Sequence, residues 1–188
     1  MDRRSDAELI EICNDGSARE AARAFEVLYR RHKDFVLRVA FRYLRDADGA
    51  LDVLQETFTY LLRKFPPTGS GLRLDAKLTT LLYPAARNSA ISILRKTART
   101  GPSEALDPDD LPAADTERQT GRLGDLDVLL KGLSAERREV IMLRFVDDMS
   151  LADIAEALGI PLGTVKSRLH LAIKDLRNSP ELMEYFYS

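Results

Sequence analysis

The chain has 188 residues, enough for one large domain or two small ones. A hydrophobic fraction of 45% suits a globular protein with a buried core, and a formal net charge of -2 excludes no partner by itself. The single cysteine, Cys13, excludes an internal disulfide and a cysteine metal cluster, and no run of about 18 apolar residues marks a signal peptide or a membrane span.

Charge becomes informative once it is mapped. From Ala76 to Ser103 there are five basic residues (Lys77, Arg87, Arg95, Lys96, Arg99) and no acid. From Glu104 to Glu117 there are six acids and no base. A near-neutral protein can therefore still present basic surfaces to nucleic acid. Strand-like alternation is absent, and the reading is all-α. Two small helical domains, 1–98 and 121–188, are joined by a flexible acidic linker over 99–120.

Ser5 and Glu8 form a capping-box pattern that opens a first helix with Leu9, Ile12 and Cys13 inward, closed by Asn14-Asp15-Gly16. Residues 18–45 predict a long helix with Phe25, Leu28, Tyr29, Phe35, Val36, Val39, Ala40 and Tyr43 apolar and a break possible at His32, itself read as a surface residue. A turn at 46–49 leads to a third helix over 50–65. Its core stripe is Leu51, Leu54, Phe58, Leu61 and Leu62, with Asp52, Gln55, Glu56 and Thr59 outward. The Pro- and Gly-rich segment 66–71 is a loop. Residues 74–96 are helical again, with Pro84 predicting a kink or boundary near Tyr83.

Beyond the linker, residues 121–131 predict an entry helix, and Ser134 caps a helix over 135–145 whose inner residues are Val140, Ile141, Leu143 and Phe145. The stretch Ser150–Arg177 then carries the strongest pattern in the chain. Ser150 and Asp153 make a second capping box, Gly159 stands where a left-handed residue ends the helix, and Pro161 opens the next one. Val165, Leu169, Ala172, Ile173 and Leu176 form the apolar stripe of that second helix. Opposite lie Thr164, Lys166, Ser167, Arg168, His170, Lys174 and Arg177, as a recognition helix for the DNA major groove requires. A solvated charged face on a plain helical hairpin is the alternative. The tail from 178 to 188 is apolar and aromatic, suited to packing back on the domain or to contact with another protein. No phosphate-binding glycine loop, histidine–carboxylate cluster or nucleophile motif argues for an enzyme, and no cofactor is expected.

Two separate stretches resemble one family. GLSAERREVIMLRFVDDMSLADIAEALGIPLGTVKSRLHLAIKDLR resembles region 4 of the sigma-70-family transcription initiation factors. AFEVLYRRHKDFVLRVAFRYL, DVLQETF and LLYPAARNSAISILRK resemble their region 2. The short linker between them matches the extracytoplasmic-function group. The resemblance implies binding to core RNA polymerase and to promoter DNA, with an anti-sigma factor as a further partner, in the cytoplasm and without membrane insertion. It implies that Lys166, Ser167 and His170 face bases of the −35 element, with Thr164 and Arg168 on the backbone and Lys174 on the same face. It also implies that Phe65, Arg87, Asn88, Arg95 and Lys96, with the loop 66–77, hold the opened −10 strand, and that Asp52, Gln55, Glu56 and Phe58 dock on core polymerase. The chain departs from the family at Leu81, where a tryptophan is usual, at Pro84, usually basic, and at Leu51, usually acidic. Other readings are a helix-turn-helix regulator acting at its own operator, or a polymerase-binding adaptor that does not open promoters.

Overall fold

The computed structural model describes residues 2–44, 46–100, 130 and 132–178, and every described element is helical. The described residues fall into two compact units, one within 1–105 and one within 106–188.

The first unit contains α1 (Asp6–Asp15), α2 (Ala18–Phe41), α3 (Ala47–Leu62) and α4 (Leu78–Thr100). Ser5 and Glu8 form the expected capping box, and Ser17 and Glu20 form a second one at the start of α2. Each pair satisfies amide donors that a helix start leaves open. α2 packs against each of the other three helices. It buries Leu28, Phe35, Val36, Val39 and Ala40 against Val53, Leu54, Phe58 and Leu61 of α3 and Leu82, Tyr83, Ala86 and Ala90 of α4. Phe25, Tyr29, Phe58 and Phe65 meet edge to face in the same core, at centroid separations of 4.8 to 6.3 Å.

Several expectations are corrected. α2 runs unbroken past His32, which is buried rather than on the surface, its Nε2 lying 2.7 Å from Oδ2 of Asp6. α3 begins at Ala47 rather than at 50, because the Asp46 side chain accepts the Gly49 amide and caps the helix there. Leu51 and Leu62 are about half exposed, at 54% and 52%, while Val53 and Thr57 turn inward. α4 begins at Leu78, and no boundary forms at Pro84, which sits inside the helix. Proline there withholds the amide that would reach the Thr80 carbonyl and crowds that carbonyl with its ring, yet the helix continues through it.

Among the described residues, the buried hydroxyls of Thr57 and Thr80 have no hydrogen-bond partner. A buried donor without a partner carries its full desolvation cost, and an apolar group of the same shape does not. Thr57→Val is therefore expected to stabilise the protein by about 1 kcal/mol, read as a higher melting temperature by calorimetry. A lower melting temperature would show that the hydroxyl is satisfied.

The second unit contains α5 (Ala135–Ile141), a π-helical turn (Met142–Val146), α6 (Leu151–Leu158) and α7 (Leu162–Arg177). The expected helix over 135–145 thus ends early. The Asp147 amide reaches back five residues to the Met142 carbonyl, 3.1 Å away. One extra residue in that turn takes Phe145 off the helical register and leaves it 63% exposed, not inward as expected. Ser134 precedes α5 but makes no side-chain cap, its hydroxyl donating to Glu136 instead. Leu130, Leu133, Ile141, Met142 and Ala172 form a core cluster, with Val146, Leu169, Ile173 and Leu176 packed against it. Leu143, Met149, Ile154 and Val165 are also buried. The linker beyond Thr100, the entry helix apart from the buried, helical Leu130, and the tail from 179 onward lie outside the described residues.

Candidate nucleic-acid and polymerase interfaces

The helix-turn-helix forms as its sequence demands. The Ser150 hydroxyl accepts the Asp153 amide at 3.1 Å, and Asp153 Oδ2 accepts the Ser150 amide at 3.1 Å. Gly159 adopts φ 64 and ψ 33, the left-handed conformation that glycine enters without the Cβ penalty. The Ile160 amide then bonds to the Ala155 carbonyl, which closes the turn. α7 starts after Pro161 and buries Val165 and Ala172.

With those two residues inward, Lys166, Ser167, His170, Lys174 and Arg177 are exposed, and Thr164 is half-buried at the first turn. Lys166, His170 and Lys174 follow one another at helical spacing of four, so they form one line along the helix. Arg168 stands apart from that line. It is half-buried and its charge acts on Glu136, whose carboxyl is lowered chiefly by the Ser134 hydroxyl and secondarily by Arg168 and Arg137. Arg137 also pairs with Asp175 at 2.5 Å, which offsets the one acid of α7 from within its own unit.

On α4, Asn88, Arg95 and Lys96 are exposed and Arg87 is half-buried. At about 100° per residue, Asn88 and Arg95 share a line and Arg87 lies to one side. Phe65 is not on this surface. It is 3% exposed and packs edge-on against Phe25, so it belongs to the core and is not open to stack on a base.

The outer face of α3 presents Asp52, Gln55, Glu56 and Thr59, with Leu51 and Leu62 toward its two ends. Phe58, expected on the docking face, is 5% exposed and faces inward against Tyr29 and Phe25. The Glu56 carboxylate accepts the hydroxyl of Ser89, which ties the outer face of α3 to α4. Tyr60, also exposed, carries Lys64 Nζ 4.6 Å from its ring centroid. Cys13 is buried, and burial pushes its thiol up to about 11, far from the thiolate that reactive chemistry needs. Among the described residues no cluster of side chains is suited to a metal ion, and no helix is long and apolar enough to cross a membrane.

One contact was not anticipated. The Asn14 side chain brackets the backbone of Leu72, 58 residues away, donating to its carbonyl at 2.8 Å and accepting its amide at 2.9 Å. In sequence, Asn14 reads only as part of a helix stop.

Two helical units, one ending in a helix-turn-helix with an exposed basic line, define a DNA-binding protein of the transcription machinery. Residues 28–100 match the model of sigma-70 region 2, and residues 123–176 match that of sigma-70 region 4. The chain is 35% identical over 171 residues to the ECF RNA polymerase sigma factor SigL of Mycobacterium tuberculosis, covering 86% of this chain and 92% of that one. It is 31% identical over 148 residues to the RNA polymerase sigma factor SigV of Bacillus subtilis, covering 78% and 84%. Among solved structures, the sigma factor RpoE of Bartonella quintana, in complex with the anti-sigma factor NepR, superposes with a TM-score of 0.58 at 26% identity, covering 85% of this chain and 96% of that one. CnrH, in complex with the cytosolic domain of CnrY, gives a TM-score of 0.64 at 22% identity, covering 92% and 95%, a likeness of fold. The chain belongs to the extracytoplasmic-function group of the sigma-70 family. It binds core RNA polymerase and directs promoter-specific transcription initiation.

Proposed function

We propose a division of labour between the two units. α7 reads the −35 duplex with Lys166, Ser167 and His170 at base edges. Thr164, Arg168 and Lys174 contact the phosphate backbone, Arg168 from the side of α7 that faces Glu136. α4, with Asn88, Arg95, Lys96 and Arg87 at its flank, holds the opened −10 strand together with the loop 66–77. The face of α3 formed by Asp52, Gln55 and Glu56 docks on core polymerase, where carboxylates steer the approach to a basic surface.

The observation that carries this reading is the single exposed line Lys166–His170–Lys174 on a helix whose other side is buried at Val165 and Ala172. Opening the promoter needs no catalytic group. A protein that binds the separated strand better than the duplex shifts the melting equilibrium by that difference. Work on the chromosome with polymerase places the protein in the cytoplasm, and it needs no enzymatic activity of its own. An anti-sigma factor, of the kind with which RpoE of Bartonella quintana is found, is the expected inhibitor, covering these faces until they are needed.

Transcription with purified core polymerase over a genomic fragment library, with and without the protein, tests the assignment. New start sites that share paired −10 and −35 elements are expected. Binding to core or to duplex DNA without any new initiation would overturn promoter opening and leave an adaptor or an ordinary regulator.

A further inference from the structure

We propose that Asn14 is a positioning residue for promoter choice: its side-chain amide fixes the shape of loop 66–77 and thereby sets −10 sequence preference. This rests on the reading above that the loop takes part in −10 recognition.

The loop is held at two places. Near its start, the Gly69 amide bonds to the Phe65 carbonyl at 2.8 Å and the Gly71 amide to the Lys64 carbonyl at 3.0 Å, folding the chain back over the end of α3. A Cβ at Gly69 would stand 2.3 Å from the Lys64 carbonyl oxygen, so the fold-back admits no side chain there. Further on, at Leu72, both backbone polar groups are bonded by Asn14 on α1. One amide side chain satisfies both the donor and the acceptor of one residue, as a neighbouring strand would do. Asparagine is suited to this because it carries a donor arm and an acceptor arm side by side. Aspartate, of the same shape, would set a second acceptor against the Leu72 carbonyl.

The residue before the bracket is matched to it. Gly71 has φ +94, and a Cβ there would come 3.1 Å from Asn14 Oδ1. Glycine is thus required both by the dihedral and by the close approach of the asparagine. Between and beyond the two anchors the loop exposes Thr68, Ser70 and Arg73. Their directions are set by backbone that is already fixed before DNA arrives, and a pre-organised surface discriminates between ligands more sharply than one that orders on binding. α1 lies outside residues 28–100, the part matched by the region 2 model. The loop is therefore shaped by a helix beyond that region.

The test is transcription by the holoenzyme, this chain with core polymerase, on a promoter library randomised in the −10 element with the −35 element fixed. Asn14→Asp, and Gly71→Ala as an independent variant from the loop side, are each expected to lower the preference for the best −10 sequence over its single-base neighbours by about 10-fold, equivalent to about 1.4 kcal/mol. Affinity for core polymerase and for a −35 duplex stays at the parent value. Arg73→Ala serves as the control for loop readout and is expected to alter which bases are preferred. If Arg73→Ala changes the ranking while Asn14→Asp and Gly71→Ala only lower the melting temperature, Asn14 is a structural staple and the proposal fails. If none of the three changes the ranking, the loop does not read the −10 element and the proposal falls together with that reading.

Discussion

Replacing Lys166 with alanine is expected to weaken binding to a −35 duplex by about 10- to 100-fold, while affinity for core polymerase stays unchanged. The size follows from what one good contact to a base edge contributes, about 1–3 kcal/mol of discrimination. The selectivity follows from position. Lys166 is exposed on α7, in the second unit, whereas the face assigned to docking is on α3 in the first. An exposed lysine on a helix surface contributes little to stability, so the melting temperature should hardly move. Salt dependence separates two ways of losing affinity. If Lys166 contacts a phosphate, the loss is uniform over sequences and the slope of log affinity against log salt falls by about one. If it reads a base, the loss is confined to the preferred element and the slope is kept. Equal loss of duplex and core affinity would count against the division of labour.

The helix-turn-helix was legible because its determinants are local. Ser150 and Asp153 are three residues apart, Gly159 follows the helix it ends, and the stripe of α7 repeats at helical period. Contacts between distant residues were not legible. Nothing near His32 announces Asp6, 26 residues away, and nothing near Asn14 announces Leu72. Phe58 shows where two lines of inference collided. Periodicity placed it in the core, the family resemblance placed it on the docking face, and packing against Phe25 and Tyr29 decides for the core. Phe65 is a similar case, an aromatic beside a loop that completes the core instead of lining a base pocket. Leu51, Leu62 and Phe145 failed in the other direction. Apolar character alone does not bury a side chain: Leu51 and Leu62 lie off the α3 face that holds Val53, Leu54, Thr57, Phe58 and Leu61, and the π-helical turn takes Phe145 out of register. For Arg87, Asn88, Arg95 and Lys96 the sequence supplied the helix and the spacing that aligns Asn88 with Arg95, but only the fold shows Arg87 half-buried and the other three exposed.

Asp6→Ala is expected to destabilise the first unit by about 2 kcal/mol at neutral pH, the cost of leaving the buried His32 ring nitrogen unsatisfied. Asp6 begins α1 and reaches two residues of α2: one carboxylate oxygen lies 2.7 Å from His32 Nε2, and the other accepts from the Arg31 guanidinium. His32 is only 7% exposed, so without Asp6 its ring nitrogen would be stranded in the interior. Burial alone would raise the Asp6 carboxyl, but the hydrogen bonds and charges of His32 and Arg31 outweigh it, and the group ends below its usual 3.8. A depressed folded-state value fixes the sign of the pH dependence. The stabilisation is complete above the unfolded value near 3.8 and is lost as pH falls through the lower folded value. The stability gap between parent and Asp6→Ala should therefore be open at about pH 5 and close only as pH is taken well below 3.8, measured by urea unfolding at each pH. Asp6→Asn separates shape from charge. It keeps one acceptor, for His32, but sets an NH2 donor against the Arg31 guanidinium and removes the charge from both contacts, so it should recover only part of the alanine loss. An Asp6→Ala gap that persisted unchanged into strong acid would mean that the carboxylate does not hold α1 to α2. The loop bracketed by Asn14 would then depend on the apolar packing of Leu9, Ile10 and Cys13 alone to keep α1 in place.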